Sequence, residues 1–198
     1  MSSSFIGLTT AVALTAVACG DPTGVNSGDG LTAAEVVIVI AAFGSAFESV
    51  GIAPQAAPAQ VPIPVDESFD ASIPCESGTL EVSGSVTGSI DDKTFDVDVT
   101  TVVSWDPNAC VIGDGTNKFT LDGAPRVDLV LDMTSTQDAL TWNGTETGGF
   151  SFTSSDGRSG SCALDVTFSI VTTLSGSTST VTGTICGLDA SIFETLGT

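Results

Sequence analysis

Residues 164–170 read LDVTFSI, a stretch in which apolar and polar residues alternate. A period of two places the apolar side chains on one face of a β-strand and the polar ones on the other. The same alternation recurs in residues 80–87, 95–104 and 127–133. These stretches predict half-buried strands, each with one side towards a core and one side towards water.

Short turn signals separate the alternating stretches, among them IDDK at 90–93, DGAP at 122–125 and NGTETGG at 143–149. Short links favour antiparallel pairing between strands that follow one another in the chain. We therefore predict a mainly β fold, an antiparallel meander of roughly eight strands. The pattern leaves open a curved sheet, a half-barrel, a closed barrel or a sandwich, and we favour a curved sheet wrapped around one N-terminal apolar helix.

That helix is predicted from residues 32–50, TAAEVVIVIAAFGSAFESV. Thr32 and Glu35 have the spacing of a capping box, and Gly51 is a typical C-terminal stop. The β-branched run 36–40 leaves a strand open as the alternative. An apolar helix of this kind is expected to pack against the sheet. Its apolar residues are also the candidate lining of a ligand pocket: Val36, Val39, Ile40, Phe43 and Phe47.

Residues 5–18 form an uncharged apolar run that is too short to span a bilayer and has the size of a signal-peptide core. Small residues, Ala16 to Ala18, then lead into Cys19. This segment resembles the lipobox of bacterial lipoproteins. The resemblance implies cleavage before Cys19, diacylation of its thiol and attachment to a membrane without a transmembrane helix. Gly20, which follows the cysteine, implies an outer-membrane location in the cell envelope.

Two features depart from the lipobox pattern. Ala16 stands where the family usually has leucine, and the first five residues, MSSSF, carry no Lys or Arg. An ordinary cleaved signal followed by a chance cysteine, or a buried N-terminal helix, are the alternatives. The predicted organisation is a signal peptide at 1–18, a lipid-anchored flexible tether at 19–31, the apolar helix at 32–50, a Pro/Ala-rich connector at 51–74 and an antiparallel β domain at 75–198.

Four cysteines follow Cys19, and an even number in an exported chain predicts two disulfides. Three pairings are possible. A turn near residues 91–92 brings Cys75 beside Cys110, and a turn near residues 175–177 brings Cys162 beside Cys186. Hairpin geometry therefore favours these two pairs. A zinc–thiolate site is the alternative, but the cysteines lack the close C-x-x-C spacing that such sites usually show.

Composition restricts the classes of function. The chain has 24 acidic residues against 4 basic ones, a formal net charge of -20, and no histidine. Such a field disfavours nucleic acid and anionic lipid headgroups as partners. Without histidine, a Ser-His-Asp or Cys-His catalytic arrangement and an imidazole-ligated zinc site are excluded. No cofactor is indicated.

A loop rich in oxygen ligands is a candidate calcium site, with Asp106, Asn108, Asp114 and Asn117 as its ligands. Its spacing does not match an EF-hand, and turn chemistry alone explains these residue types. A second acidic group consists of Asp91, Asp92, Asp96 and Asp98. Paired carboxylates serve glycoside hydrolysis, but a solvated strand face is the simpler interpretation. Trp105 and Trp142 could stack on a ligand, although nothing in the sequence places them together.

Three functions are compatible with these features. The first is a non-catalytic, lipid-anchored envelope protein with a structural or protein-binding role. The second is a carrier or sensor of an apolar small molecule held between helix and sheet, an arrangement similar in shape to the half-barrels of bacterial lipoprotein-carrier proteins. The third is a carboxylate- or calcium-dependent hydrolase. The first function requires the fewest specific residues, and we therefore favour it and expect no enzymatic activity.

Overall fold

The computed structural model describes residues 30–49, 63–94, 96–115, 117–123 and 125–196, without the side chains of 46–49, 114 and 194–196. This part of the chain forms one α-helix, ten strands and a short 3-10 helix. Their bounds are α1 Ala33–Ser49, β1 Ile63–Pro74, β2 Thr79–Ile90, β3 Val97–Asn108, β4 Cys110–Asp114, β5 Asn117–Asp122, β6 Val127–Ser135, β7 Ala139–Ser154, β8 Ser159–Thr173, β9 Gly176–Ile185, β10 Leu188–Asp189 and the 3-10 helix Ala190–Leu196.

The strands form one antiparallel sheet in the order β1-β2-β3-β6-β7-β8-β9-β10. The short hairpin β4–β5 lies off this path and joins it through β5, which pairs with β7. β7 is long enough to pair with β6 over residues 140–148 and with β5 over residues 151–154. The sheet is not closed. The predicted mainly β, antiparallel meander with one N-terminal helix is therefore confirmed, and a sandwich of two sheets is excluded.

The connector predicted at 51–74 is wrong from Ile63 onwards, because residues 63–74 form β1 and pair with β2 along its whole length. β1 is the edge strand of the sheet, where a proline costs no ladder hydrogen bond if its nitrogen faces outwards. The Cys75 N–H donates to the Gly78 carbonyl, and the unbroken register then places the nitrogens of Pro64 and Pro74 on the open edge. The β domain therefore begins at Ile63 rather than at Cys75.

The helix begins where the capping box predicts. The Thr32 backbone N–H donates to Glu35 Oε2 at 2.8 Å, and the Glu35 N–H donates to Thr32 Oγ1 at 3.4 Å. The run 36–40 is helical, so the strand alternative is wrong. Leu31 and Val36 occupy the positions of a hydrophobic staple and are both buried. Because Leu31 is packed, the flexible tether predicted at 19–31 is shorter than predicted. Residues 19–29 of that tether and the predicted helix stop at Gly51 lie outside the described residues.

Strand register divides the sheet into two faces. One row runs through Val103, Leu129, Glu146 and Val166, which lie opposite one another on β3, β6, β7 and β8. This face, which we call the inner face, carries the apolar side chains and receives α1. The neighbouring positions form the outer face, which is rich in Asp, Ser and Thr. The predicted alternation thus separates a core side from a solvent side.

The helix covers only one half of the inner face, which we call the covered half. Val36 and Val39 are each 1% exposed, and the ring of Phe43 lies 6.3 Å from Trp105 and 5.7 Å from Phe150. The covered half forms the main core, which includes Leu80, Val82, Val103, Phe119, Leu121, Val127, Phe150, Phe152, Leu164 and Ile185.

The two cysteine pairs lie at disulfide distance, and both are located at the covered half of the inner face. Cys75 pairs with Cys110 and links the turn between β1 and β2 to the start of β4, with 5.4 Å between their Cα atoms. Cys162 pairs with Cys186 and links β8 to the end of β9, with 4.2 Å between Cα atoms. These are the pairs that the hairpins predict.

Candidate functional site

The other half of the inner face carries apolar side chains that remain half-buried. They come from β6, β7 and β8, and register places Met133 opposite Trp142, Trp142 opposite Ile170, and Leu131 in one row with Phe168. We call this surface the open patch; it consists of Leu131, Met133, Leu140, Trp142, Phe168 and Ile170. Partly exposed apolar side chains next to one another on a single face mark a surface suited to apolar ligands or partners.

Glycine shapes the open patch. Gly144 lies on the inner face of β7, and a Cβ atom there would come 2.3 Å from Cζ of Phe168. The Phe168 ring therefore leans across from β8 onto the Gly144 backbone. Phe69 uses Gly84 in the same way, with 2.6 Å between its Cζ and the position of an added Cβ. A larger residue at Gly144 would lift the Phe168 ring and change the shape of the patch.

Glu146 is the next inner-face residue of β7 after Gly144, and it places a carboxyl at the border between the open patch and the core. Its cross-strand neighbours are Leu129 and Val166. Burial among these side chains raises the pKa of Glu146 to about 7. Within the described part of the chain its carboxyl has no hydrogen-bond or ionic partner, and yet the side chain keeps some exposure. An unpartnered carboxyl in an apolar setting is costly and is a recognised sign of a functional position.

The turn predicted at 143–149 is wrong, because these residues lie inside the continuous strand β7 and follow its alternation. Trp142, Gly144 and Glu146 share one parity, and Asn143, Thr145 and Thr147 have the other. A glutamate in the apolar register would have singled out Glu146. Its burial, however, depends on β6 and β8 on either side, which the sequence alone does not reveal.

The helix residues predicted to line a ligand pocket occupy different surroundings. Val36 and Val39 are buried in the core, and Ile40 packs partly buried against it. Phe43 also borders a cleft of about 390 Å³ between α1, the β1–β2 turn and β4. The side chain of Phe47 lies outside the described residues. The structure therefore brings four of the five predicted lining residues to the core and its edge rather than to the open patch.

The acidic group of the β2–β3 turn is engaged in turn hydrogen bonds. Asp91 Oδ1 accepts the backbone N–H of Lys93 at 2.8 Å and that of Thr94 at 3.0 Å. The bonds from the backbone of Thr94 and Lys93 hold the pKa of Asp91 below its usual value. Asp91, Asp96 and Asp98 border a shallow cleft of about 330 Å³. The described residues include no group of three or more Asp, Glu or Cys arranged to hold a metal ion.

The calcium candidates are spread along the β4–β5 hairpin. Asn108 lies at its base, where the Ala109 N–H donates to Asp122 Oδ1 at 2.9 Å. Asn117 lies at its tip, opposite residue 114. A strand of five residues separates base and tip by roughly 15 Å, too far for shared coordination. Asp106 is exposed on β3, and the side chain of Asp114 lies outside the described residues.

The two tryptophans do not meet. Trp105 is buried beside Phe43, and its indole N–H has no hydrogen-bond partner in the described part of the structure. Trp105 lies in one row with Gly148, six residues from Trp142 along β7. At about 3.3 Å per residue this is a separation of roughly 20 Å. Only Trp142 belongs to the open patch.

Three of the four basic side chains are bound to acidic partners, and the fourth is exposed in a turn. Arg158 binds Glu35 of α1, with 2.5 Å between Nη2 and Oε1, and so ties the helix to the β7–β8 turn. It also binds Asp156 in the same turn. The remaining basic residues lie at the outer face or at turns: Arg126 beside Asp128 at 3.0 Å, Lys118 beside Glu76, and Lys93 exposed in the β2–β3 turn.

Among the described residues, no helix combines the length and the apolar character needed to cross a membrane. Comparison of the chain with models of protein families, with curated proteins and with solved structures finds no match.

Proposed function

We propose that this chain is a non-catalytic envelope protein whose open patch binds the apolar part of a small molecule. The observation that carries the proposal is the contrast between the two halves of one sheet face. α1 buries the inner face beside Val82 and Val103, whereas the apolar side chains beside Trp142 are only partly buried. An apolar ligand would complete the cover that the helix provides on the other half.

The energy available on such a patch suits a small ligand. Each methylene group removed from water contributes about 0.8 kcal/mol, so six of them contribute about 5 kcal/mol before the cost of association. Before that cost is subtracted, 5 kcal/mol corresponds to a dissociation constant of roughly 0.2 mM, so a single alkyl chain binds no more tightly than that. Stronger binding needs a polar contact in addition.

Attachment to the cell envelope is the second part of the proposal. It rests on the apolar run 5–18 and on the lipobox-like residues before Cys19, all of which lie outside the described residues. Two acyl chains on Cys19 would hold the protein at a membrane. A binding protein fixed there would act as a carrier or sensor of apolar molecules in the envelope.

The test uses two consecutive residues of β6 that point to opposite faces. Leu131 belongs to the open patch, and Val130 is 40% exposed on the outer face. The full-length protein is titrated with N-phenyl-1-naphthylamine, a neutral apolar fluorophore. We expect saturable binding that Leu131→Ser weakens about tenfold and that Val130→Ser leaves within twofold. Equal affinity of both variants, or no saturable binding by the wild type, would contradict the proposal.

Protein binding through the outer face is the second candidate function. Val102 and Val130 lie directly opposite each other on β3 and β6 and are 39% and 40% exposed. Two valines are a small fraction of the roughly 800 Å² that a stable interface buries on each partner. Val130→Ser distinguishes the candidates, because it would remove a protein partner in a pull-down from its host without changing fluorophore binding.

A further inference from the structure

The carboxyl of Glu146 adjoins the open patch. Trp142, Gly144 and Glu146 follow one another on the inner face of β7, and the ring of Phe168 lies on the backbone between Trp142 and Glu146. A molecule resting on the two aromatic rings would therefore bring one of its ends to the carboxyl.

The chain supplies no cation of its own to Glu146. Arg158 is bound to Glu35 and Asp156, Arg126 to Asp128, and Lys118 to Glu76. Lys93, the fourth basic residue of the sequence, is exposed in the β2–β3 turn. A carboxylate that is removed from water without a counter-charge is unfavourable, and a cation from outside would relieve that cost.

The other charged groups of the inner face reinforce the preference for a cation. In the described strands β2, β3, β6, β8 and β9, no inner-face position carries Asp, Glu, Lys or Arg. On β1 the single charged inner-face residue is Glu67, opposite Val86. Glu35 of α1 is neutralised by Arg158. Among the described side chains of α1, β1 to β3 and β6 to β9, every unpaired charge on the inner face is therefore negative.

We propose that the open patch binds an apolar molecule that carries a protonated amine, with the ammonium group at the Glu146 carboxylate and the apolar body on Trp142 and Phe168. This inference rests on the proposed function and specifies the class of ligand. Aromatic faces attract organic cations as well as apolar groups. A formal net charge of -20 draws cations towards the protein and repels fatty-acid anions.

The experiment compares three probes of eight carbon atoms each: octylamine, octanol and octanoate. Binding to the full-length protein is measured by calorimetry at pH 8, where the amine is protonated because its pKa is near that of lysine, about 10.4. We expect the wild type to bind octylamine at least tenfold more tightly than octanol, and octanoate most weakly. Glu146→Gln should reduce the affinity for octylamine to that for octanol and leave octanol within twofold.

Glu67→Gln is the matched control, because it removes the other inner-face carboxylate, on β1. It should preserve the preference for octylamine within about twofold. Equal binding of all three probes by the wild type would overturn the inference and leave the proposed function standing. Loss of the preference in Glu67→Gln but not in Glu146→Gln would also overturn it. If none of the probes binds, both the inference and the proposed function fail.

Discussion

Replacing Glu146 with glutamine should stabilise the protein at neutral and alkaline pH, although it removes a native side chain. Burial raises the pKa of this carboxyl from 4.5 to about 7, so the folded state holds its proton more tightly than the unfolded state. Below pH 4.5 the Glu146 carboxyl is protonated in both states, so the wild type retains its full stability. Between pH 4.5 and 7 the unfolded state releases its proton first, so the wild type loses stability as the pH rises. Above pH 7 the carboxyl is ionised in both states, and the loss of wild-type stability no longer changes with pH.

The size of this loss of stability follows from the pKa values of Glu146 in the unfolded and the folded state. At about 1.4 kcal/mol per pH unit, the interval from 4.5 to about 7 corresponds to about 3 kcal/mol. Glu146 keeps some exposure, and water screens part of the penalty, so we expect a measured difference of about 1–3 kcal/mol. Glutamine has nearly the same shape and no charge, and it therefore avoids this cost.

Urea unfolding of the full-length protein at pH 4.5, 6 and 8 measures the effect. Glu146→Gln should equal the wild type within about 0.5 kcal/mol at pH 4.5 and exceed it by 1–3 kcal/mol at pH 8. Glu81→Gln is the control, since Glu81 is exposed on β2 and bonds Ser72 at 2.7 Å; a change below about 0.5 kcal/mol is expected at every pH. A Glu146→Gln variant that is no more stable than the wild type at pH 8 would refute the reasoning.

Three further predictions concern the fold and the anchor. Phe43→Ala should cost about 3–5 kcal/mol in chemical unfolding because it empties the ring contacts with β3 and β7, whereas Leu174→Ala, at a position 97% exposed, should cost less than about 0.5 kcal/mol. Arg158→Gln should lower the free energy of unfolding by about 1–2 kcal/mol because the partly buried Glu35 carboxylate loses its partner, and by less at high salt. A variant as stable as the wild type at low salt would contradict this. Cys19→Ser should move the protein from the membrane to the supernatant fraction, and unchanged fractionation would exclude lipid anchoring.

The sequence predicted those features of the fold that depend on local patterns. Alternation located β2, β3, β6 and β8 because each has one wet and one dry face. The helix start followed from Thr32 and Glu35, whose side chains cap the first turn. The two hairpins placed each cysteine beside its partner, since a turn brings residues at equal distances from it together.

Features that depend on neighbouring strands were missed. The strand β1 was not predicted because Pro64 and Pro74 suggested a connector. Its position at the edge of the sheet makes these prolines tolerable. The surroundings of the helix residues expected to line a pocket also depend on the strands: Val36 and Val39 lie in the core, and Phe43 borders a cleft beside β4. Glu146 was overlooked because residues 143–149 were predicted as a turn, and because its burial is produced by Leu129 and Val166 on two other strands.

The most direct test of the account is to observe where an apolar amine contacts the protein. Methyl-labelled full-length protein is titrated with octylamine, and the methyl resonances are followed by NMR. The account predicts saturable shifts at Leu131, Met133 and Ile170, with Val36 and Val39 in the covered half unaffected. Shifts confined to the covered half or to the outer face, or no saturable shift at all, would contradict the central claim that the open patch is a binding surface.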